Sequence, residues 1–529
     1  MIRAKLRDAI TRHALGRALL GAASGLLAAA AALGVAQLVA GLIGPLGGPV
    51  VAVGQVAINL TPVPVKDFVI ARAGSHDKQV LVGGILIVLV AFAAVVGMLA
   101  LRRIGYGLAG LAVFGALGAA AAITRPNAGV QDVVPTLAGV AVATVALVLL
   151  VRAAARPWPP AAAGRSVPAG RSGPRPDRRR FLALAAGTAA LAAASGLAGQ
   201  SLLGRFNVAK LRDAVRLPAP AKRAPAVAAG AQLQVPGITP FFTSNASFYR
   251  VDTELVLPQI SPDQWTLRVH GMVARPIDLT FGDLLRRPLT EADITLACVS
   301  NQVGGTLAGN ARWLGASLAA LLREAGVRAG ADQILSTSND GWTCGTPTEV
   351  VMADPDALLA VGMNGQPLPI AHGFPARMIV PGLFGYVSAT KWVTDLELTT
   401  FAAQRSYWAQ RGYSAQAPIK TMSRIDVPKP LQQVHAGRVA VAGVAWAPHR
   451  GIDAVQVRVD SGPWRDARLS APDGINTWRQ WVWPWDASSG LHQLEVRATD
   501  GTGAVQPAKR VGVFPNGATG WDSTVVTVT

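Results

Sequence analysis

Residues 294–314 read Ile-Thr-Leu-Ala-Cys-Val-Ser-Asn-Gln-Val-Gly-Gly-Thr-Leu-Ala-Gly-Asn-Ala-Arg-Trp-Leu. The apolar run 294–297 predicts a β-strand that ends on Cys298, and a polar, glycine-rich loop follows it. A thiol between a strand and a polar loop is suited to hold a soft metal ion. A free cysteine is, however, more often a small buried hydrophobe. The rest of the chain must therefore decide between a metal ligand and a packing residue.

The 529-residue chain is too long for one ordinary domain, and its composition divides it in two. Residues 1–205 are dominated by Ala, Leu, Val and Gly, whereas residues 230–529 have the mixed composition of a globular protein. Much of the net charge of +19 comes from Arg and Lys next to apolar stretches, as in proteins whose basic residues set membrane topology. Since no basic run is interleaved with aromatic residues, the charge does not indicate nucleic-acid binding.

Residues 1–151 form a predicted membrane region with four transmembrane helices, because a span takes about 20 apolar residues. The basic N-terminus and the Arg102-Arg103 connection are expected in the cytoplasm, so that the loop 44–79 faces outward. The histidines of this region, His13 and His76, lie outside the spans, and we therefore expect no haem there. We interpret the helices as an anchor or a partner-docking element. The four spans lack charged residues and run at about 18–43, 80–101, 104–123 and 133–151.

Residues 152–180 are rich in Pro, Ala, Gly and Arg, which is typical of a disordered linker, here expected in the cytoplasm. The segment 178–204 begins Arg-Arg-Arg-Phe-Leu and continues as an Ala-rich apolar run. It resembles a twin-arginine signal with Arg178-Arg179 as the pair, and a fifth transmembrane helix has the same composition. That export route carries folded domains, which indicates a cofactor inserted in the cytoplasm. Without a clear cleavage site, we expect the segment to remain as an anchor.

Residues 230–425 are predicted to form a catalytic domain in which short strands and helices alternate. Glycine and proline are dense in this region, and the mixture favours an α+β fold. The predicted strands include 265–269, 333–337 and 376–380, and the predicted helices are 281–287 and 317–325.

Six motifs in this region follow one another over 150 residues, from Thr243 to Trp392. They are Thr243-Ser-Asn-Ala-Ser-Phe-Tyr-Arg250, the Cys298 segment with Gly309-Asn-Ala-Arg-Trp-Leu-Gly315, Asp340-Gly-Trp-Thr343, Met363-Asn-Gly-Gln-Pro-Leu-Pro369, His372-Gly-Phe-Pro-Ala-Arg377 with Val380-Pro-Gly382, and Lys391-Trp392. In this order the motifs are similar to those of the sulfite oxidase superfamily of molybdopterin enzymes. The resemblance covers about 230–515.

The resemblance implies a molybdenum-molybdopterin cofactor with Cys298 as the protein ligand to the metal. The pterin carries a phosphate, for which the family uses the positions of Arg377 and Lys391, and arginine is suited to bidentate phosphate binding. Taken singly, each of these residues also has an ordinary structural explanation, such as a surface charge or a turn. The implied cofactor-binding residues are Asn245, Tyr249, Arg250, Cys298, Ser338, Asp340, His372, Arg377, Ala389, Thr390 and Lys391.

The chain departs from sulfite oxidases at two positions of the expected substrate pocket. Those enzymes carry an Arg where this chain has Ser244, and a Tyr in the segment where it reads Ala-Val361-Gly. Because an oxyanion such as sulfite is held by a cluster of Arg, we expect a different substrate. Arg411 matches another pocket Arg and is our second catalytic candidate, with a surface role as the alternative. We expect Cys344 to pack; a disulfide with Cys298 would remove the metal ligand.

Residues 426–529 contain alternating apolar and polar segments separated by turn clusters. This pattern predicts an Ig-like sandwich, and it resembles the C-terminal dimerisation domain of the superfamily. The Trp-rich segment 478–485 is interpreted as core. The predicted strands are 439–446, 455–460, 477–483 and 493–498.

The sequence thus predicts a multi-domain chain with all-α transmembrane helices, an α+β molybdopterin domain and an all-β sandwich. The expected function is two-electron oxygen-atom transfer to or from a small oxo-substrate, outside the cytoplasm on a multi-pass membrane anchor. Since the chain has no Cys-x-x-Cys-His motif, we expect no haem and a separate cytochrome or quinone as electron partner. A sulfoxide-type reductase of the same superfamily is one alternative. A non-enzymatic cell-surface binding protein with a degenerate cofactor domain is the other.

Overall fold

The structure is a computed structural model that describes residues 2–44, 48–62, 65, 66, 68, 69, 72, 77–125, 128–155 and 178–529. The described residues divide into two compact units. The first unit contains those of Met1–Pro62, His76–Asn207 and Thr253–Val256, and the second those of Val63–Ser75, Val208–Asp252 and Leu257–Thr529. Most of the predicted linker 152–180 lies outside the described residues.

The described residues of the first unit form six α-helices. These are α1 (Ile2–Ile43), α2 (Pro49–Leu60), α3 (Asp77–Arg102), α4 (Ile104–Ile123), α5 (Val134–Ala154) and α6 (Arg178–Gly204). All except α2 contain a stretch long and apolar enough to cross a membrane. The four predicted spans are therefore confirmed as helices, and the twin-arginine-like segment forms a fifth. Helix α2, inside the predicted loop 44–79, was not expected from the sequence.

Small residues let α1 approach its neighbours closely. A Cβ atom on Gly97 of α3 would lie 2.8 Å from the Cα atom of Gly25 in α1. A Cβ atom on Gly199 of α6 would lie 2.5 Å from the backbone carbonyl carbon of Gln37 in α1. Both distances are shorter than real Cβ contacts, so only glycine allows the backbones to come this close. Helix α6 is therefore packed directly against α1.

We expect Gly199→Ala to destabilise the first unit by about 1–3 kcal/mol, because the added methyl group must displace the backbone of α1. Gly187→Ala on the same helix is the matched control, since nothing lies within 4 Å of its Cβ position and alanine favours helix. Unfolding of the full chain in detergent, followed by helical circular dichroism, measures both variants. Equal stability of the two would contradict the packing of α6 on α1.

The second unit begins with ten strands and four short helices, in agreement with the α+β prediction. The helices are α7 (Ala209–Ala214), α8 (Phe281–Arg286), α9 (Leu318–Ala325) and α10 (Thr348–Ala353). The strands are β1 (Thr266–Gly271), β2 (Ile277–Thr280), β3 (Leu289–Ala297), β4 (Ala308–Ser317), β5 (Gln333–Ser338), β6 (Thr343–Pro347), β7 (Leu358–Met363), β8 (Gln366–Pro367), β9 (Arg377–Ile379) and β10 (Val393–Thr399). One sheet has the order β2-β1-β10-β5-β6 and the other β3-β4-β7-β8, with β9 paired to β7.

Local sequence explains several of these boundaries. Thr280 caps α8 by accepting a hydrogen bond from the backbone N–H of Asp283, whose carboxylate accepts one from the backbone N–H of Thr280 in return. Gly326 ends α9 with a φ of 71°, a conformation that favours glycine. Strand β3 begins before the predicted start at Ile294 and pairs with β4 along its whole length. This hairpin positions Cys298, because Cys298 directly follows β3.

The C-terminal part of the second unit consists of two packed sheets. Their strands are β11 (Met422–Val427), β12 (Gln433–Val434), β13 (Gly437–Trp446), β14 (Ile452–Val459), β15 (Arg465–Asp466), β16 (Arg468–Leu469), β17 (Arg479–Ala487), β18 (Gly490–Asp500) and β19 (Asp522–Val528). The sheet orders are β11-β13-β17-β16 and β12-β19-β18-β14-β15. Buried residues of both sheets share one core, which includes Val441, Trp481, Val457 and Val496. The four predicted strands are confirmed, and the first sheet starts at Met422.

Candidate cofactor site

Cys298 directly follows β3, at the start of the loop that returns the chain to β4. Its backbone N–H donates to the carbonyl oxygen of Leu307 at 2.9 Å. The side-chain oxygen of Asn301 accepts from the backbone N–H of Leu307 at 2.8 Å, which closes the loop. Cys298 is 9% exposed and Cys344 is fully buried. Neither cysteine forms a disulfide, so the disulfide alternative does not apply.

Residues of the C-terminal sheets support this loop and β3. Arg424 donates through Nη1 to the carbonyl oxygen of Gly305 at 2.9 Å. Thr295 of β3 donates its backbone N–H to the carbonyl oxygen of Asn476 at 2.9 Å, and its hydroxyl accepts from the backbone N–H of Trp478 at 2.8 Å. Both parts of the second unit therefore determine where Cys298 lies.

Three cationic side chains lie together around His372, and one carboxylate bridges two of them. The carboxylate of Asp252 accepts from Arg250 Nε at 2.8 Å and from Lys391 Nζ at 2.6 Å. Arg377, the third cation, donates to the backbone oxygen of His372 at 3.0 Å. Burial lowers the pKa of His372, and the charges of all three cations lower it further. The charges of both arginines also lower the pKa of Lys391, so the three cations are within electrostatic reach of one another. We call Arg250, Arg377 and Lys391 the cation group.

Burial makes the positive charge of the cation group costly. It lowers the pKa of Arg377 to about 10 and that of Lys391 to about 8, although Asp252 favours the charged form of the lysine. The Nε atom of Arg377 is buried and has no hydrogen-bond acceptor in the described part of the chain. The guanidinium lies over the Trp313 ring, 5.3 Å from its centroid. An anion at this position would stabilise these charges.

Tyr249 links the thiol to the cation group. Burial raises the pKa of its phenol above the ordinary range, the charge of Cys298 raises it further, and the charge of Arg377 lowers it. Tyr249 is therefore within electrostatic reach of both residues. Its ring stacks on Phe248 at a centroid distance of 5.2 Å, which fixes its orientation. Cys298, Tyr249 and Arg377 thus belong to one site.

Asn245 and His372 are joined by hydrogen bonds to the turn between β7 and β8. The Asn245 side chain donates to the backbone oxygen of Met363 at 3.2 Å and accepts from Asn364 Nδ2 at 2.9 Å. Asn364 has a φ of 51° and Gly365 one of 75°, as a two-residue hairpin turn requires. His372 Nε2 lies 3.2 Å from the backbone oxygen of Asn245, so this nitrogen donates. This arrangement accounts for the Met-Asn-Gly motif.

We expect His372→Gln to make the free energy of unfolding fall less steeply as the pH is lowered. Burial and the neighbouring cations lower the pKa of His372 from 6.5 to about 3 in the folded state. The unfolded chain therefore binds the proton first, and stability is lost as the pH falls through the unfolded pKa toward the folded one. The expected loss reaches ~1.4 kcal/mol per pH unit. Urea unfolding of both proteins at about pH 7 and about pH 5 measures the difference; an equal acid dependence would argue against a neutral, buried His372.

Ser338 is the last residue of β5 and Asp340 lies in the turn between β5 and β6, beside the segment that carries Lys391. The backbone N–H of Asn339 donates to the carbonyl oxygen of Trp392 at 2.8 Å. The Ser338 hydroxyl is buried and has no hydrogen-bond partner among the described residues. The carboxylate of Asp340 accepts from the backbone N–H of Trp342 at 3.0 Å. Ser338 therefore retains bonding capacity next to the cation group.

Ala389 and Thr390 contribute to the same region mainly through packing and backbone groups. The carbonyl oxygen of Ala389 accepts from Arg377 Nη2 at 3.3 Å. The Thr390 hydroxyl lies 2.6 Å from that of Ser336 and is fully buried. Cys344 is next to these residues, and burial raises the pKa of its thiol. This agrees with the packing role expected for Cys344.

Arg411 has a different environment from the other candidates. Its Nη1 donates to the backbone oxygen of Tyr407 at 2.8 Å, and its guanidinium lies 3.5 Å from the centre of the Tyr407 ring. The structure thus describes Arg411 beside an aromatic ring, and its role in a substrate pocket stays a prediction.

Asp252 and Asn364 belong to the site but were not predicted from the sequence. Asp252 holds Arg250 and Lys391 together, and its side chain is only 5% exposed. Its spacing from Arg250 was the available signal, because a carboxylate two residues from an arginine in a polar loop is a candidate partner. Asn364 was visible within the Met-Asn-Gly motif, but its hydrogen bond to Asn245 depends on the fold.

The described residues of this site fit an anionic cofactor that carries a phosphate. The cation group has three positive charges against the one carboxylate of Asp252. The orphaned Arg377 Nε atom and the orphaned Ser338 hydroxyl provide further donors. Phosphate oxygens accept such charge-assisted hydrogen bonds. A thiol within reach of the same tyrosine supplies a soft metal ligand.

Comparisons with known proteins agree with this donor set. Residues 254–408 match the family described as oxidoreductase molybdopterin binding domain. Human mitochondrial sulfite oxidase is 30% identical over 316 residues, which cover 50% of this chain and 57% of that protein. The chain thus spans little more than half the length of this relative.

Two further relatives extend the comparison. The uncharacterized oxidoreductase YuiH of Bacillus subtilis (strain 168) is 32% identical over 150 residues, which cover 28% of this chain and 72% of that protein. The crystal structure of the sulfane dehydrogenase SoxCD from Paracoccus pantotrophus is 26% identical, with a TM-score of 0.48. That match covers 54% of this chain and 83% of the other.

Proposed function

The chain belongs to the sulfite oxidase superfamily of molybdopterin-dependent oxidoreductases, and on this premise we propose that it catalyses two-electron oxygen-atom transfer at molybdenum. The observation that carries the proposal is the common environment of Cys298, Tyr249 and Arg377, in which a buried thiol and buried cations meet. The buried charge of Arg377 has no use in a purely structural core, because burying an unpaired charge is costly. Together, the thiol and the cations match a metal held beside an anionic organic group.

Different residues of this chain would bind the metal, the phosphate and the pterin of the cofactor. Cys298 would provide the thiolate ligand. Arg377 and Lys391 would bind the phosphate, while Asp252 fixes the lysine and Arg250. Asn245, His372, Ser338, Asp340, Ala389 and Thr390 would contact the pterin through the turns and backbone groups around it. When bound, the cofactor supplies the two-electron redox change that oxygen-atom transfer requires.

The substrate that we propose is not sulfite. Ser244 is exposed, and its hydroxyl bonds that of Ser247 at 3.0 Å instead of reaching inward. Val361 lies fully buried in β7 and has no polar side-chain atom. Neither residue stabilises an oxyanion, so a neutral oxo-substrate fits better, and reduction of a sulfoxide-type substrate is the second candidate function. Arg411 remains our proposed substrate-pocket residue.

We also propose that the first unit anchors the enzyme in a membrane with the second unit outside the cytoplasm. The five long apolar helices support the anchor. The basic segments between helices and the Arg pair at the start of α6 support the orientation and a twin-arginine route. The two packed C-terminal sheets support an Ig-like sandwich that mediates dimerisation. Electrons would pass to or from a separate cytochrome or quinone.

Metal analysis of the full chain tests the function. After expression in a host that makes the cofactor, we expect about one molybdenum per chain with the pterin. Oxidation of sulfite and reduction of sulfoxides, each with an artificial electron partner, then identify the substrate. Chains without molybdenum and pterin would contradict the proposal and favour a non-enzymatic cell-surface binding protein.

A further inference from the structure

An apolar crevice lies among α1, α3, α4 and α5 of the first unit. It is an open cleft, and the space of about 540 Å³ between its atoms includes the part that lies outside the helices. The space exists because small residues face it, among them Gly25, Ala93 and Ala143, and Phe114 and Val140 complete its wall. The lining side chains are apolar throughout, so the crevice suits a hydrocarbon chain.

Two buried polar atoms without partners lie near one end of these helices. Thr136, in the first turn of α5, is 2% exposed, and its hydroxyl has no hydrogen-bond partner among the described residues. Gln55 of α2 is 8% exposed; its Nε2 donates to the backbone oxygen of Thr253 at 3.1 Å, while its Oε1 has no described partner. Buried polar groups of this kind are rare unless they bind water or a ligand.

Thr136 lies just beyond the end of the crevice. It precedes Val140, which lines the crevice, by one helical turn of about 5.4 Å. Gly118 of α4 faces it, because a Cβ atom on Gly118 would be 2.9 Å from Thr136 Cγ2. Gly118 in turn follows Phe114, another lining residue, by one turn. The unpartnered hydroxyl of Thr136 therefore lies at one end of the crevice, between the first turn of α5 and the C-terminal part of α4.

Gln55 is attached to this end of the helices through α2. Ala52, one turn before Gln55, packs against Ala121 and Ala122 in the last turn of α4. These two residues follow Gly118 along the same helix. A neutral hydrogen-bond donor thus lies beside the end of an apolar crevice, and a neutral acceptor lies on the helix that packs against the last turn of α4. This combination matches a ligand with a long hydrocarbon chain and a neutral polar head.

We propose that the crevice binds an isoprenoid quinone, with the tail among the apolar residues and the head group at Thr136 and Gln55. The Thr136 hydroxyl would donate to a quinone carbonyl, and Gln55 Oε1 would accept from a hydroxyl of the quinol. A phospholipid fits less well, because two uncharged polar groups would not neutralise its charged head group.

The inference rests on the proposed function and gives the electron partner a place in this chain. Reduction of a quinone to the quinol takes up two electrons and two protons. Oxidation of a substrate by oxygen-atom transfer consumes one water and releases two electrons and two protons. The two half-reactions balance in either direction, so the quinone serves as acceptor for oxidation or the quinol as donor for reduction.

The test measures saturable binding of decyl-ubiquinone to the full chain in detergent, and the quinone that co-purifies with it. Ala143→Phe fills the crevice and should lower quinone binding at least tenfold. Thr136→Val keeps the shape of the side chain and removes the donor, so binding should weaken roughly five- to tenfold. Val145→Phe is the matched control, because Val145 is 60% exposed on the same helix; we expect its binding to be unchanged.

Wild-type affinity in both Ala143→Phe and Thr136→Val would overturn the inference, and so would co-purification of phospholipid alone without saturable quinone binding. If circular dichroism shows that Ala143→Phe does not fold, Thr136→Val decides the question by itself. Molybdenum is measured in the same preparations. Its absence from all of them overturns the proposed function, whereas molybdenum without quinone binding overturns this inference alone.

Discussion

Replacement of Cys298 with alanine should abolish turnover while the pterin remains largely bound. Loss of groups that merely support a metal ligand costs 10–100-fold in activity, so loss of the ligand itself should exceed ~100-fold. The pterin should stay because the cation group and Asp252 are unchanged in this variant. Activity with an artificial electron partner and fluorescence of the extracted, oxidised pterin measure the two effects separately.

Cys344→Ala is the matched control for this experiment. The Cys344 thiol is also buried and forms no disulfide, but its neighbours are the hydroxyl of Thr346, at 3.7 Å, and the backbone around Ala389. We expect turnover within a few-fold of wild type and a modest loss of stability from the smaller side chain. Full activity of Cys298→Ala, or equal losses in both variants, would contradict the assignment of Cys298 as the metal ligand.

Replacement of Arg377 with methionine should reduce the pterin content at least tenfold. A hydrogen bond to a charged group contributes about 1.5–3 kcal/mol, and ~1.4 kcal/mol corresponds to a factor of ten in binding. Arg377 has an unused Nε donor and no carboxylate partner in the described chain, so its charge is available to a phosphate. Pterin per chain after purification is the readout, and the affinity of the apoprotein for added cofactor confirms it.

Two further variants separate binding from stability. Arg377→Met also leaves the carbonyl oxygens of His372 and Ala389 without their donor, which costs stability. Lys391→Met removes only one longer bond to a carbonyl oxygen, that of Ala371 at 3.4 Å, and Asp252 still pairs with Arg250. This variant should likewise lower the pterin content. Arg450→Met, in the C-terminal sheets, removes an arginine that pairs with Asp500 and should retain the cofactor. Normal pterin content in both site variants would contradict the phosphate role.

The fold could be predicted wherever apolar residues recur at a clear spacing. The long spans and the alternating strands β13, β14 and β18 are of this kind. Strand β3 was predicted only from Ile294, because Glu291 and Asp293 interrupt its apolar pattern. In the structure Asp293 forms an ion pair with Arg312, its register partner on β4, at 2.7 Å. When the polar residues of a strand pair with residues of the neighbouring strand, the strand cannot be recognised from its own apolar pattern.

The residue types of the candidate site could be predicted from the sequence, but the hydrogen bonds and ion pairs between these residues could not. The motifs identified Cys298, Arg377 and Lys391 through their resemblance to a family. The partner of Lys391 is Asp252, 139 residues earlier, and such a pairing is set by the fold. Helix α2 was missed for a related reason, since a mostly apolar run of twelve residues, interrupted by Gln55 and Asn59, does not distinguish a short helix from a loop.

The loop that carries Cys298 is completed by residues from the far end of the chain. Arg424 holds Gly305, and Asp522 in β19 accepts from the backbone N–H of Ile425 at 2.9 Å, beside that arginine. A ribosome must therefore synthesise the chain through Asp522 before this loop has all its supports. Cofactor loading would then follow synthesis of the C-terminal sheets. A truncated chain would be unable to present the thiol correctly, so incomplete products would not acquire the metal.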